Sequence, residues 1–290
     1  MSGTALALVL AAAFLHAFWN YLAKKSRHKI AFIWWFILFA VIFYFPMFWH
    51  FFAEAQISAV GWTCMVTTGI LHTFYFFFVG SSYEQGDLSV VYPLARGFGP
   101  FWVPILAVVF LREQLSLSGI TGIGLVVAGI YVIHLKSFSV KTVFEPFRAI
   151  RRPGSIWALL TGCTIAAYSL VDKVGIQSVY PPVYIYFIFL IPLLLLTPYV
   201  LTKERAVLKQ EWLLNKKPIM VVGFLVVFTY LLVLFAMQTS NVSYVVAARE
   251  LSIVFSALFG IIWLGEGHLQ PRLIGAFLIA VGVGFIGLSR

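Results

Sequence analysis

Apolar stretches recur along the chain, each about twenty residues long and separated by short polar breaks. About 20 helical residues cross a hydrocarbon core. The pattern predicts spans at 4–23, 31–52, 59–80, 88–111, 116–135, 156–177, 182–202, 217–236, 242–264 and 269–288. The predicted fold class is an all-α membrane protein of ten transmembrane helices. Most connections are short, which makes successive helices antiparallel neighbours. Two connections, 136–155 and 203–216, are longer and charged.

Composition agrees with that pattern. Of 290 residues, 62% are hydrophobic and 10% charged, against about 25% charged in soluble domains. A net charge of +10 would suggest nucleic acid in a soluble protein. Here the cations cluster beside the apolar spans, so no nucleic-acid partner is expected. Lys24, Lys25, Arg27 and Lys29 fall in the first loop, Lys136, Lys141, Arg148, Arg151 and Arg152 in the fifth, and Lys203, Arg205, Lys209, Lys216 and Lys217 in the seventh. The even-numbered loops hold little beyond Arg112, with Lys173 near the end of the sixth span. By the positive-inside rule the odd loops are cytoplasmic and both termini lie outside, with a bacterial plasma membrane as the expected setting. No basic residue precedes the first span, so a cleaved signal peptide is not expected. Cys64 and Cys163 sit inside spans and read as packing residues, with no metal site and no disulfide.

The chain also repeats. A shift of 153 residues superposes Ala95-Arg96 on Ala248-Arg249, Leu111 on Leu264, Glu113 on Glu266, Gly122 on Gly275 and Gly129 on Gly282. A shift of 149 brings Ala17-Phe18-Trp19-Asn20 and Lys24 onto Ala166-Ala167-Tyr168-Ser169 and Lys173. Residues 1–135 and 156–290 are thus two related halves, joined by a basic linker at 136–155. Five helices is an odd number, so the second half enters the membrane inverted. Inverted repeats are a transporter architecture, with the solute bound near the midplane.

Two segments carry a family resemblance: Leu111-Arg112-Glu113-Gln114-Leu115 followed by Gly122 and Gly129, and Leu264-Gly265-Glu266 followed by Gly275 and Gly282. They resemble the drug/metabolite transporter superfamily, and specifically its EamA type of two repeats. The resemblance implies a central cavity lined by both halves, with the fifth and tenth helices at the periphery. It does not imply a substrate, since members export amino acids, carry nucleotide sugars or expel drugs. One departure is Arg112, where glycine is common before the glutamate; Arg112 is then placed to pair with Glu113.

Arg96 and Arg249 each lie about 10–12 Å into a span, from opposite faces, where a guanidinium needs a partner or a polar cavity. Either they bind an anionic group or they form an internal ion pair. Glu250 projects about 100° from Arg249 on one helix, so its partner across the pseudo-axis is Arg96, unless it receives an ammonium or a proton. Trp19, Asn20 and Tyr168 are candidate lining residues for a small polar solute, although Trp and Tyr also anchor membrane proteins. His16 and His72, with Glu250, are the coupling candidates; a lone membrane histidine more often packs. Glu113 and Glu266 read as helix caps or a gate latch, and Asp87 and Asn241 as N-caps. Lys24 and Lys173 read as snorkelling ends, and Glu84 as solvated.

Pro93, Pro100 and Pro104 predict a kinked fourth helix near Arg96, with Pro93 and Pro100 as bending points during alternating access. The paired glycines share one face per helix and read as packing. No cofactor, metal or enzymatic constellation stands out. The function predicted is secondary active export of a small polar metabolite bearing an anionic group, such as an amino acid or organic acid. The second reading is proton-coupled efflux of lipophilic cations. Monomer and homodimer stay open.

Overall fold

Helix starts are set locally. Ser58 and Ser116 accept hydrogen bonds from the amides of Gly61 (3.1 Å) and Gly119 (3.2 Å), the N-cap arrangement that satisfies an otherwise orphaned donor. Pro153 and Pro181 open two further helices, where the missing N–H is no loss. The structure is a computed structural model and describes residues 1–24, 26–86, 88–135, 137–139, 143–144, 152–264 and 269–289. Side chains at 24, 88–90, 92–93, 260–264 and 269 are not among those described. Asp87 and Glu266 therefore lie outside the described residues, as do most of the basic linker and the side chains of Lys24 and Pro93.

The described residues form helices and no strand: α1 (Gly3–Lys24), α2 (Lys29–Phe52), α3 (Ala59–Gln85), α4 (Leu88–Leu111), α5 (Leu117–Ile133), α6 (Pro153–Ser178), α7 (Pro181–Tyr199), a π-helical turn (Val200–Glu204), α8 (Arg205–Thr239), α9 (Val242–Arg249), α10 (Leu251–Leu264) and α11 (Leu269–Leu288). Eight segments among them are long and apolar enough to cross a bilayer, where the hydrophobic pattern predicts ten. The difference has two sources. Residues Pro181–Thr239 form one helical run of 59 residues, and α5, at Leu117–Ile133, is shorter than the rest. That run bends at Glu204 (φ −108°, ψ 1°) and at Asn215 (φ −127°, ψ 21°).

The connection at 203–216 is helical, contrary to the loop expected there. Tertiary contacts hold it: Trp212 stacks on Phe39 with ring centroids 5.3 Å apart, and the Trp35 indole donates to the Leu208 carbonyl (3.0 Å). Buried Glu211 accepts from the His28 amide (3.0 Å) and the Asn215 side chain (2.7 Å), so the first basic loop and this segment are tied together.

The halves interlock in matched pairs. The first helix of each half packs on the third helix of the other, α1 on α8 and α6 on α3. The second helices α2 and α7 also lie on those third helices, α8 and α3. The fourth helix of each half meets the first of the other, α4 on α6 and α9–α10 on α1, and the two fifth helices α5 and α11 pack on one another. Large apolar side chains such as Trp49, Phe110, Leu194 and Phe277 face outward, as expected where lipid is the solvent.

The α5–α11 contact is made by glycines. A Cβ on Gly122 would stand 2.6 Å from the Gly282 carbonyl oxygen, and one on Gly129 would stand 2.8 Å from that of Gly275. The partners run in opposite order, so the helices are antiparallel with backbone against backbone, as small residues permit. Gly124, on the same helix, would meet nothing within 4 Å. Gly122→Ala and Gly282→Ala are each expected to lower stability by about 1–3 kcal/mol. Gly124→Ala should be neutral or stabilising by up to about 1 kcal/mol. Thermal unfolding in detergent measures all three.

Candidate functional site

A layer of buried polar residues crosses the interior where α1, α3, α4, α6, α8 and α9 converge. Arg96, Arg249, Glu250 and Asp172 are each no more than 5% exposed. Burying four ionisable groups among apolar helices demands partners, and the layer supplies them across the halves.

Arg96 on α4 hydrogen-bonds through Nη2 to His16 Nε2 on α1, and its Nη1 lies 3.7 Å from Glu250 Oε1. A guanidinium only donates, so His16 Nε2 is the unprotonated nitrogen. Trp19 stands one turn from His16, its ring edge-on at 4.7 Å. Arg249 lies 5.9 Å above the Tyr230 ring in a cation–π contact and within electrostatic reach of Tyr168 and Glu250. Among the described residues, Arg249 Nε, Glu250 Oε2, Trp19 Nε1 and Ser252 Oγ are buried with no hydrogen-bond partner. Two of these are donors, one is a carboxylate acceptor and one is a hydroxyl.

The span carrying Arg249 is interrupted at that point. α9 ends at Arg249, Glu250 sits at φ −69° and ψ −4°, and its amide returns to the Ala247 carbonyl (3.1 Å). α4 runs as one helix from Leu88 to Leu111 through its three prolines. At Glu250 a tight hydrogen bond to the residue three back resets the chain with no proline involved. Broken helices near the midplane are a feature of solute sites.

A second centre adjoins the first and was not singled out from the sequence. Asp172 on α6, fully buried, accepts hydrogen bonds from Thr68 Oγ1 (2.5 Å), Tyr184 OH (2.9 Å) and Tyr230 OH (2.5 Å). Thr68 Oγ1 lies 3.1 Å from His72 Nδ1, and the His72 ring stacks on Tyr168 at 4.1 Å. Its sequence signal was an aspartate one turn after Tyr168 inside an apolar span, beside a lysine that drew attention as a helix end. That Lys173 donates to the Met237 (2.5 Å) and Ser240 (2.9 Å) carbonyls, closing the end of α8.

The remaining candidates fall elsewhere. Asn20 returns its amide to the His16 carbonyl (2.8 Å) on its own helix. Glu84 lines a cleft of about 420 Å³ with Gln85, Val91, Arg152 and Ser155, at the end of the bundle that bears the basic loops. Cys64 is buried, but Cys163 is exposed, so it is not a packing residue.

Glu113 caps a helix, but not the following one. Ser116 caps α5, while the Glu113 carboxylate accepts from the amides of Val242 (2.6 Å) and Ser243 (3.3 Å) and from Ser243 Oγ (2.6 Å) at the start of α9. Glu113 therefore serves the other half rather than Arg112. Asn241 leaves its expected cap role and donates to the Gln114 carbonyl (3.0 Å). Arg112 has φ 55°, the left-handed region that glycine occupies without steric cost. This explains why the related motif favours glycine there.

The sequence profile of the EamA-like transporter family matches residues 3–135 and again 152–288. The chain belongs to that family and is a membrane transporter of the drug/metabolite superfamily, built from two EamA repeats. No curated protein matches the sequence. A solved protein crystal structure is similar over 99% of both chains, with TM-score 0.70 and 17% identity; at that identity the likeness shows the fold alone.

Glu113→Ala is expected to destabilise the protein by about 1–2 kcal/mol through loss of the cap. Arg112→Gly should stabilise it by about 1 kcal/mol. Both are read from unfolding midpoints of the purified protein.

Proposed function

We propose that this protein is a secondary active exporter of a small polar metabolite with an anionic group, an amino acid or organic acid, working by alternating access. The observation that carries this reading is the set of buried unpaired groups around His16: Arg249 Nε and Trp19 Nε1 as donors, Glu250 Oε2 as acceptor. Unpaired buried polar atoms are expensive. A carboxylate meeting Arg249 and Trp19, with an ammonium or hydroxyl at Glu250, would satisfy all three.

The architecture supports the same cycle. Counting 181–239 as two passes and α5 as one gives ten crossings, and the antiparallel contact of the repeat-equivalent α5 and α11 favours inverted halves divided at the basic linker. Positive loop charge sets the cleft near Glu84 and Arg152 on the cytoplasmic side and the Glu113 cap on the outer side, with both termini outside.

Lipophilic cation efflux is the second reading, favoured by the aromatic walls of Tyr168 and Tyr230. Two guanidiniums in the same layer oppose it.

Thermal-shift measurements on the purified protein with L-aspartate, L-serine, succinate and tetraphenylphosphonium separate the two. At a hundredfold excess over the dissociation constant a bound solute stabilises by about 2.7 kcal/mol. An amino acid or dicarboxylate is expected to raise the midpoint of the wild type but not of Arg249→Ala or Arg96→Ala. Stabilisation by tetraphenylphosphonium alone would reject the anionic reading.

A further inference from the structure

Asp172 differs from the other buried charges in what surrounds it. Arg96 and Glu250 face each other, whereas the hydrogen-bond partners of Asp172 are three hydroxyls. Hydroxyls stabilise a carboxylate but do not neutralise it, so a proton is the economical neutralising ion in an apolar interior. The two oxygens are unequal. Oδ1 accepts from both Thr68 and Tyr184, while Oδ2 accepts from Tyr230 alone, leaving Oδ2 the lone pair that can take a proton. A proton on that lone pair makes Oδ2 a much weaker acceptor, so the bond from the Tyr230 hydroxyl loosens. The ring of the same tyrosine lies beneath Arg249.

The histidines are held in other roles. His16 Nε2 is occupied by the Arg96 guanidinium. His72 Nδ1 faces the Thr68 carbonyl at 2.9 Å, an acceptor only, so that nitrogen carries a hydrogen and is held by Thr68. Other titratable or charged groups around Asp172 are Cys64 on α3 and Tyr184 on α7, with Arg249 on α9 at electrostatic range. On α6 itself Tyr168 lies one turn back, and Lys173 is engaged with the carbonyls closing α8. On α4, Arg96 is engaged with His16 and Glu250. Asp172 stands six residues from the end of α6, about 9 Å along the helix, on the side of the Glu113 cap.

We propose that Asp172 is the proton-binding site of this transporter and that Tyr230 relays its charge state to Arg249. The proposal rests on the transport reading above for its purpose, but not for its chemistry. One proton adds to Oδ2, converting carboxylate to carboxylic acid, and leaves by the same atom. No other bond changes. Neutral Asp172 leaves the layer with an excess of positive charge beside Arg249, which favours an incoming anion; ionised Asp172 disfavours it.

The test is pH-dependent infrared difference spectroscopy of the full chain in lipid nanodiscs, without solute and in choline chloride. A protonated-carboxyl C=O band is expected to grow as pH falls. It should be lost in Asp172→Asn and kept in Glu250→Gln. A guanidinium stretching change is expected in the same spectra and should vanish in Arg249→Lys and in Tyr230→Phe. Should Asp172→Asn not fold, Thr68→Val and Tyr230→Phe carry the test, since each removes a donor to the carboxylate and should move the band midpoint to higher pH. A band that ignores these substitutions, or no band in wild type, overturns the proton site. A guanidinium change that survives Tyr230→Phe overturns the relay. A midpoint displaced when sodium chloride replaces choline chloride overturns the proton in favour of a metal cation. Because no solute is present, failure of the anionic reading leaves the carboxyl band unaffected, and the two failures are separable.

Discussion

Two guanidiniums and two carboxylates cannot be held apart inside a bundle of apolar helices, and most of the interior is organised by that constraint. Arg96 comes from the first half; Arg249, Glu250 and Asp172 come from the second. The Arg96–Glu250 pair therefore crosses between the halves. Around these four the aromatic residues do double service. Tyr230 gives its face to Arg249 and its hydroxyl to Asp172, and Tyr168 covers the His72 ring. The polar layer is thus continuous from Arg96 to Thr68, which lets a change of charge at one end be felt at the other.

The two halves are alike in scaffold and unlike in chemistry. At the shift of 149 that aligns α1 with α6, Trp19 meets Tyr168, but Ala23 meets Asp172 and His16 meets Ile165. The packing partners and the two arginines are matched between the halves, whereas Asp172 and His16 have no titratable counterpart. A transporter that used equivalent sites would bind its ligand twice. Here the asymmetry separates an arginine-rich region from a hydroxyl-lined carboxylate within one layer.

Much of the scaffold was legible in the sequence because span length and repeat offset are local or periodic signals. Arg96 and Arg249 stood out for the same reason, as cations deep in apolar stretches. What escaped depends on long-range contact. The Glu113 cap reaches a helix start 129 residues away, and nothing near Glu113 announces its partner. The helical form of 203–216 follows from Trp212 and Glu211 docking on α2 and the first loop, against a composition that reads as a charged connection. The interruption at Glu250 has neither proline nor glycine to mark it. Asp172 was passed over because the repeat comparison draws the eye to matched residues, and its match is an alanine.

The glycine contact between α5 and α11 also determines where movement can be housed. Interfaces made of side chains can exchange one set of rotamers for another and so possess alternative packings. Carbonyl against α-carbon has no such alternative: the pair has one seating, and any sliding would force oxygen atoms into backbone. The fifth helices therefore act as a keel for the bundle. On the proposed cycle, the interfaces that exchange packings would be those made of side chains, with the halves swinging about that fixed line.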